Sequence, residues 1–201
     1  MITVVGVGPG DAQYLTCEAQ VAIAAADLLV GSARHIATFA CPQHKTHLLD
    51  ADLAGLLAWL RRRLDKHHIV VLASGDPLLY GIGKWLAVHF APQELRIIPG
   101  ISAIQYLCAQ IALDMNDIYL TSSHGRTPDF DWLLQHDKVA MVTDAITGPW
   151  AIAQAIMQRG LRRNLIIGEN LSLPTERIHR LQPAAVAQRY DINAVVILNE
   201  R

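Results

Sequence analysis

Three short stretches carry residues that can do chemistry. Ser74-Gly75-Asp76-Pro77 gathers a hydroxyl, a carboxylate and a glycine into one turn. Glycine permits dihedrals closed to other residues, Asp hydrogen-bonds nearby backbone, and Pro fixes its own φ. Gly6-Val7-Gly8-Pro9-Gly10-Asp11 and Pro99-Gly100-Ile101-Ser102-Ala103 repeat the theme. Such turns let a ligand approach main-chain groups without bulky side chains in the way. The first is not a dinucleotide fingerprint. Pro9 stands alone between Gly8 and Gly10, and it removes an N–H that a phosphate cradle would use. The alternative reading is a set of ordinary strand-to-helix connections.

Cations stand in similar surroundings. Arg34-His35 follows Gly31-Ser32, and Ser123-His124-Gly125-Arg126 forms another glycine turn. Arginine binds carboxylates bidentately, although such residues are often simply solvated. Cys41, His44 and His47 are close enough to suggest a metal, but the second half of a zinc site is missing, so none is expected. Arg61, Arg62 and Arg63 end a predicted helix, where positive charge complements the helix dipole.

The elements that must position these residues follow from the apolar pattern. Ile2 to Val5, His68 to Ala73 and Leu95 to Ile98 are short β-branched runs, each entering one of the three turns. Helical spacing follows each: Leu15 to Ala26, then Leu86, Ala87 and Phe90, then Ser102 to Ile111. Strand, glycine turn and helix, three times over, predict an α/β fold whose ligands sit at the carboxyl ends of the strands. The pattern lapses between Leu113 and Asp117, which predicts two α/β domains, 1–113 and 117–201. In the second, strands are expected at Ile118 to Thr121, Val139 to Val142, Leu165 to Ile167, Glu176 to Leu181 and Ala194 to Leu198. No long helix separates the last of these, so a mixed sheet is expected, with Glu176 to Leu181 beside the final strand.

The chain has 201 residues, 52% of them hydrophobic, and a formal net charge of −1. That charge argues against nucleic acid as the main partner, because phosphate binding needs a basic surface. It leaves room for a small anion held by a few arginines. The apolar runs are shorter than a membrane span, and the start lacks the features of a signal peptide. With only Cys17, Cys41 and Cys108, no disulfide framework is expected, and a cytoplasmic location is.

Taken in order, Gly6-x-Gly8-Pro9-Gly10-Asp11, Gly75-Asp76-Pro77-x-x-Tyr80-Gly81, Pro99-Gly100-x-Ser102-Ala103 and Glu169-Asn170 resemble the successive motifs of the tetrapyrrole methylases. The resemblance runs the length of the chain. It implies two α/β domains with an active-site cleft between them, a homodimer, and S-adenosylmethionine as methyl donor. Thr143-Asp144-Ala145 and Leu171 to Ile178 are similar to the branch that methylates ring carbon 5 of cobalt-precorrin-7 in anaerobic cobalamin synthesis. The alternatives are another ring position of a precorrin or uroporphyrinogen, or a non-catalytic tetrapyrrole-binding module. By position, the cofactor contacts implied are Pro9, Ser74, Gly75, Asp76, Leu79, Ser102, Ala103, Asp144 and Leu171. Asp144 stands where many members have Met, and Leu171 where many have Gly. Arg34, His35 and Arg126 are the candidates for substrate carboxylates. His124 is the candidate base, an imidazole's ordinary pKa lying near neutrality, or else it only positions the substrate. A separate carbon-15 methyltransferase/decarboxylase would be the functional partner.

Overall fold

Strand β1 (Ile2–Gly6) is buried along its whole length, because neighbours cover both of its edges and helices cover both of its faces. The computed structural model describes residues 1–39 and 42–200, and the chain forms two compact units, Met1–Ser102 and Ala103–Arg201.

The first unit is a five-stranded parallel sheet. Its other strands are β2 (Leu28–Gly31), β3 (Thr46–Leu48), β4 (Ile69–Ala73) and β5 (Leu95–Ile98), in the order β3-β2-β4-β1-β5. Side chains alternate between faces. Ile2, Val4, Ile69 and Val71 pack with Leu56 and Leu60 of α3 (Leu53–Arg61) and Leu86 of α4 (Gly83–His89). Val5, Val70 and Leu72 pack with Ala19 and Ala22 of α1 (Cys17–Ala24). A strand covered on both sides reads as an unbroken apolar run, which is why the sequence shows these strands clearly. Thr16 caps α1 by accepting from Ala19 N at 3.1 Å, and Asp52 caps α3 by accepting from Gly55 N at 2.9 Å. Two of the arginines at the end of α3 have structural partners. Arg61 bonds the His89 carbonyl and lies over Phe90, and Arg63 lies over Trp59 at 4.4 Å. Helix α2 (Ala33–Thr38) follows β2.

The second unit holds α5 (Ala103–Gln110), β6 (Tyr119–Ser122), α6 (Phe130–Leu133), β7 (Lys138–Val142), α7 (Pro149–Gln158), β8 (Arg163–Glu169), β9 (Arg177–Leu181) and β10 (Asn193–Asn199). The sheet order is β6-β7-β10-β8-β9. Only β6 and β7 run parallel, so the sheet is mixed, as its short connections require. The pairing of β9 corrects the sequence expectation. It joins β8, with Glu169 opposite Arg177 and Leu165 opposite Leu181, while β10 lies between β7 and β8. Ala194 to Ile197 are buried throughout, the mark of a central strand, whereas alternating β9 suits an edge. Helix α5 packs on β10 and β7, so the units divide at Ser102/Ala103 and not where the pattern lapses. Among the described residues no helix is long and apolar enough to cross a membrane.

Candidate active site

At the carboxyl end of the first sheet, three turns touch through their main chains. Gly75 N donates to Gly8 O at 2.8 Å, and Gly8 N to Gly75 O at 3.3 Å. Gly100 N donates to Asp76 Oδ2 at 3.1 Å. A Cβ on Gly100 would lie 2.2 Å from Gly75 O, and one on Gly6 would lie 2.5 Å from Gly100 N. No side chain fits there, and Gly8 and Gly75 also have positive φ, 80° and 62°. Asp76 Oδ1 accepts from Leu78 N at 2.8 Å and Leu79 N at 3.2 Å. Its carboxylate therefore holds the knot in shape, and Pro9, Ser74, Gly75, Asp76, Leu79 and Ser102 all lie on or beside it.

Arg34 and His35 reach the same knot from α2. Ser32 Oγ accepts from His35 N at 3.3 Å and fixes the start of that helix. His35 Nε2 then lies 3.2 Å from Ser74 Oγ, and Arg34 Nη2 donates to the same oxygen at 3.4 Å. Arg34 and Ser74 are exposed, but His35 is only 7% exposed, and its Nδ1 is buried without a hydrogen-bond partner. Burial first, and the neighbouring Arg34 charge second, push the His35 pKa down to about 4. Of the two expected cations one is thus a neutral imidazole.

In the second unit, buried side chains do the holding. Ser123 is fully buried; its hydroxyl donates to Thr147 O and accepts from Asp144 N, each at 3.0 Å. This pins the turn after β6 to the turn after β7. Asp144 Oδ1 accepts from Ile146 N at 2.9 Å and Thr147 N at 2.7 Å. The Thr147 N–H above all, with help from Ile146, Gly125 and the charge of His124, holds the Asp144 carboxyl below its ordinary pKa. His124 Nδ1 lies 3.0 Å from Ser122 Oγ. Arg126 Nε donates to Ser122 O at 2.9 Å and Nη2 to Thr121 Oγ1 at 3.0 Å, which leaves the Nη1 side of the guanidinium for another partner. Ala103 opens α5. Leu171 is buried, its side chain close against Gly168, so only its backbone can face a ligand. It sits between Asn170 and Ser172, with φ of 47° and 66°. Glu169 supports that turn: Oε2 is 2.6 Å from His179 Nε2, and Oε1 accepts from Asp191 N at 2.7 Å.

Ser123, Glu169 and His179 hold these turns in place, a role that sequence reasoning did not assign them. Ser123 and Glu169 stood inside motifs noted for other residues, and His179 left no signal beyond its place in an alternating strand. Among the described residues no three or more His, Cys, Asp or Glu side chains could hold a metal ion. His47 instead stacks on Trp59 with centroids 4.4 Å apart, and Cys41 lies outside the described residues.

Comparison with known proteins gives this geometry its family. Residues 1–186 match the family model of the tetrapyrrole (corrin/porphyrin) methylases. The chain is 54% identical over 202 residues to the cobalt-precorrin-7 C(5)-methyltransferase of Salmonella typhimurium, covering 100% of each protein. It is 29% identical to a precorrin-6Y C(5,15)-methyltransferase [decarboxylating] of Sinorhizobium sp, covering 98% of this chain but 48% of that longer protein. Among solved structures, the uroporphyrin-III C-methyl transferase of Thermus thermophilus complexed with S-adenosyl homocysteine superposes with a TM-score of 0.79 at 19% identity, over 98% of this chain and 96% of that one. The chain therefore belongs to the tetrapyrrole methylases.

Proposed function

We propose that this protein is an S-adenosylmethionine-dependent C-methyltransferase that methylates ring carbon 5 of cobalt-precorrin-7 in cobalamin biosynthesis. One observation carries the reading: 54% identity to a protein of that name along the full length of both chains. The residues present fit the cofactor. Its amino-acid end needs acceptors and donors side by side, and the knot offers the exposed Ser74 hydroxyl beside close-packed glycine backbone. Pro9, Ser74, Gly75, Asp76, Leu79 and Ser102 would hold it; Ala103, Asp144 and Leu171 are the further cofactor positions that the family resemblance implies.

The cofactor supplies an already activated methyl group, so the protein's task is alignment and exclusion of water. Asp76 keeps the cradle rigid through backbone N–H bonds from two turns. Arg34 and Arg126 meet substrate carboxylates. His35 contributes as a neutral hydrogen-bonding group. His124 acts as base in the tautomer whose Nδ1–H donates to Ser122 Oγ, leaving Nε2 to take a proton; in the other it only donates to substrate. Ser122→Ala should therefore lower kcat more than it raises KM for the tetrapyrrole. The protein works as a cytoplasmic homodimer, with a separate carbon-15 methyltransferase/decarboxylase as its functional partner. The relative matched over its full length is named for carbon 5 alone, and the longer relative for carbons 5 and 15, which supports that division of labour.

The test is incubation with methyl-labelled S-adenosylmethionine and cobalt-precorrin-7, with NMR of the product. One labelled methyl on carbon 5 is expected. A label at another ring carbon would give the protein a different step, and cofactor binding without transfer would make it a binding module.

A further inference from the structure

Ser74 Oγ is shared by two groups of opposite character. Arg34 Nη2 donates to it at 3.4 Å, and His35 Nε2 lies 3.2 Å away. Arg34 is exposed and permanently charged. His35 is buried behind it. We propose that Arg34 is a gate on Ser74: with no anion present its guanidinium covers the hydroxyl of the cofactor turn, and a substrate carboxylate draws it away, so that tetrapyrrole binding strengthens cofactor binding. The inference rests on the reading of these turns as the cofactor site.

The physical argument has two parts. A charge-assisted bond from guanidinium to carboxylate is shorter and stronger than one to a hydroxyl, and 3.4 Å is already long for the latter. A carboxylate therefore wins the competition for Arg34. The second part is electrostatic. S-adenosylmethionine carries a sulfonium, an ammonium and one carboxylate, so its net charge is positive and a guanidinium lying on Ser74 opposes it on balance. Neutralising or removing that charge relieves the opposition. His35 stays on the far side of Ser74 throughout. Being uncharged, it keeps the hydroxyl oriented and adds no repulsion. Linkage then requires the effect to run both ways, the cofactor favouring the tetrapyrrole by the same factor.

The experiment measures S-adenosylmethionine affinity alone by titration, and its apparent affinity at rising cobalt-precorrin-7 from a matrix of initial rates. In the native protein, saturating tetrapyrrole should tighten the cofactor about fivefold or more. Arg34→Ala should bind S-adenosylmethionine alone about two- to fivefold tighter than native, the scale of one exposed charge, and should lose most of the coupling. Ser74→Ala should also lose the coupling, whereas Ser74→Thr, which keeps the hydroxyl, should retain it. A structural role for Arg34 alone would not tighten the cofactor. Weaker or unchanged cofactor binding by Arg34→Ala, or full coupling in Ser74→Ala, overturns the gate. If the native protein neither binds S-adenosylmethionine nor transfers its methyl group, the reading of the site fails, and the gate with it.

Discussion

In the first unit the strand-end turns touch main chain to main chain; in the second they are held apart and in place by buried side chains. Gly6 and Gly100 leave no room for a Cβ between the turns after β1, β4 and β5, where the Gly75 carbonyl lies against both. The turns after β6 and β7 meet instead through the Ser123 hydroxyl, and the turn after β8 leans on Glu169 and His179. Both sets of turns end parallel neighbours, since β6 and β7 are parallel as β1, β4 and β5 are. The difference lies in how close the turns come: in the first unit they nest on glycine, and after β6 and β7 a buried hydroxyl fills the gap between them.

The largest effect expected tests the main-chain arrangement. Gly100→Ala places a methyl group against backbone, which cannot swing aside as a side chain could. It should cost about 3 kcal/mol or more, read by chemical denaturation, and abolish binding of S-adenosylhomocysteine. Full affinity in a folded variant would show that the knot is not needed for the site.

Ser123→Ala probes the side-chain arrangement. It leaves Asp144 N–H and Thr147 C=O without their partner inside the protein. A loss of about 2–3 kcal/mol is expected, with the turns of the first unit unaffected. Equal loss from Gly100→Ala and Ser123→Ala would blur the distinction between backbone and side-chain locking.

His35 gives a smaller, pH-dependent effect. Its folded pKa, about 4, lies below its ordinary value of 6.5. On acidification the unfolded chain takes up the proton first, so this contribution to stability is complete above pH 6.5 and is lost as pH falls toward 4. Denaturation midpoints at intervals across that window should fall with pH in the native protein, and more shallowly in His35→Gln. Parallel curves would mean that the imidazole is more hydrated than its 7% exposure implies.

Arg62→Ala marks the low end. The residue is exposed just after α3. Cofactor and tetrapyrrole affinities should each stay within about twofold of native, as surface charge changes usually do. A larger drop in tetrapyrrole affinity would move the substrate to another face.

The same contrast explains what the sequence revealed. Main-chain locking needs glycine, and glycine beside proline and aspartate between apolar runs is visible at once, so the first three turns, their strands and Asp76 were legible. Side-chain locking uses residues that look ordinary. Ser123 stood in a glycine turn noted for its histidine and arginine, and His179 was one member of an alternating strand. The partner of β9 was misjudged because alternation identifies an edge strand without saying which edge it joins. Helix α5 was legible as a helix, but its place in the second unit depends on contacts with β7 and β10, far along the chain. The neutral state of His35 follows from burial and from Arg34 beside it, whereas the sequence showed only two adjacent basic residues.

The Asp76 carboxylate has a consequence for how the chain folds. It joins the turn after β4 to the turn after β5, and Gly75 joins the turn after β4 to that after β1. These bonds close only when three strands lie in their final order, so the cradle is among the last features of the first unit to form. Anything bound there grips the finished sheet and ignores its incomplete forms. The cofactor would then act on the folding equilibrium as well as in the reaction, holding the chain native in proportion to the logarithm of its concentration. A cell short of S-adenosylmethionine would hold less of this protein in its folded form, before any shortage of methyl groups had slowed the enzyme.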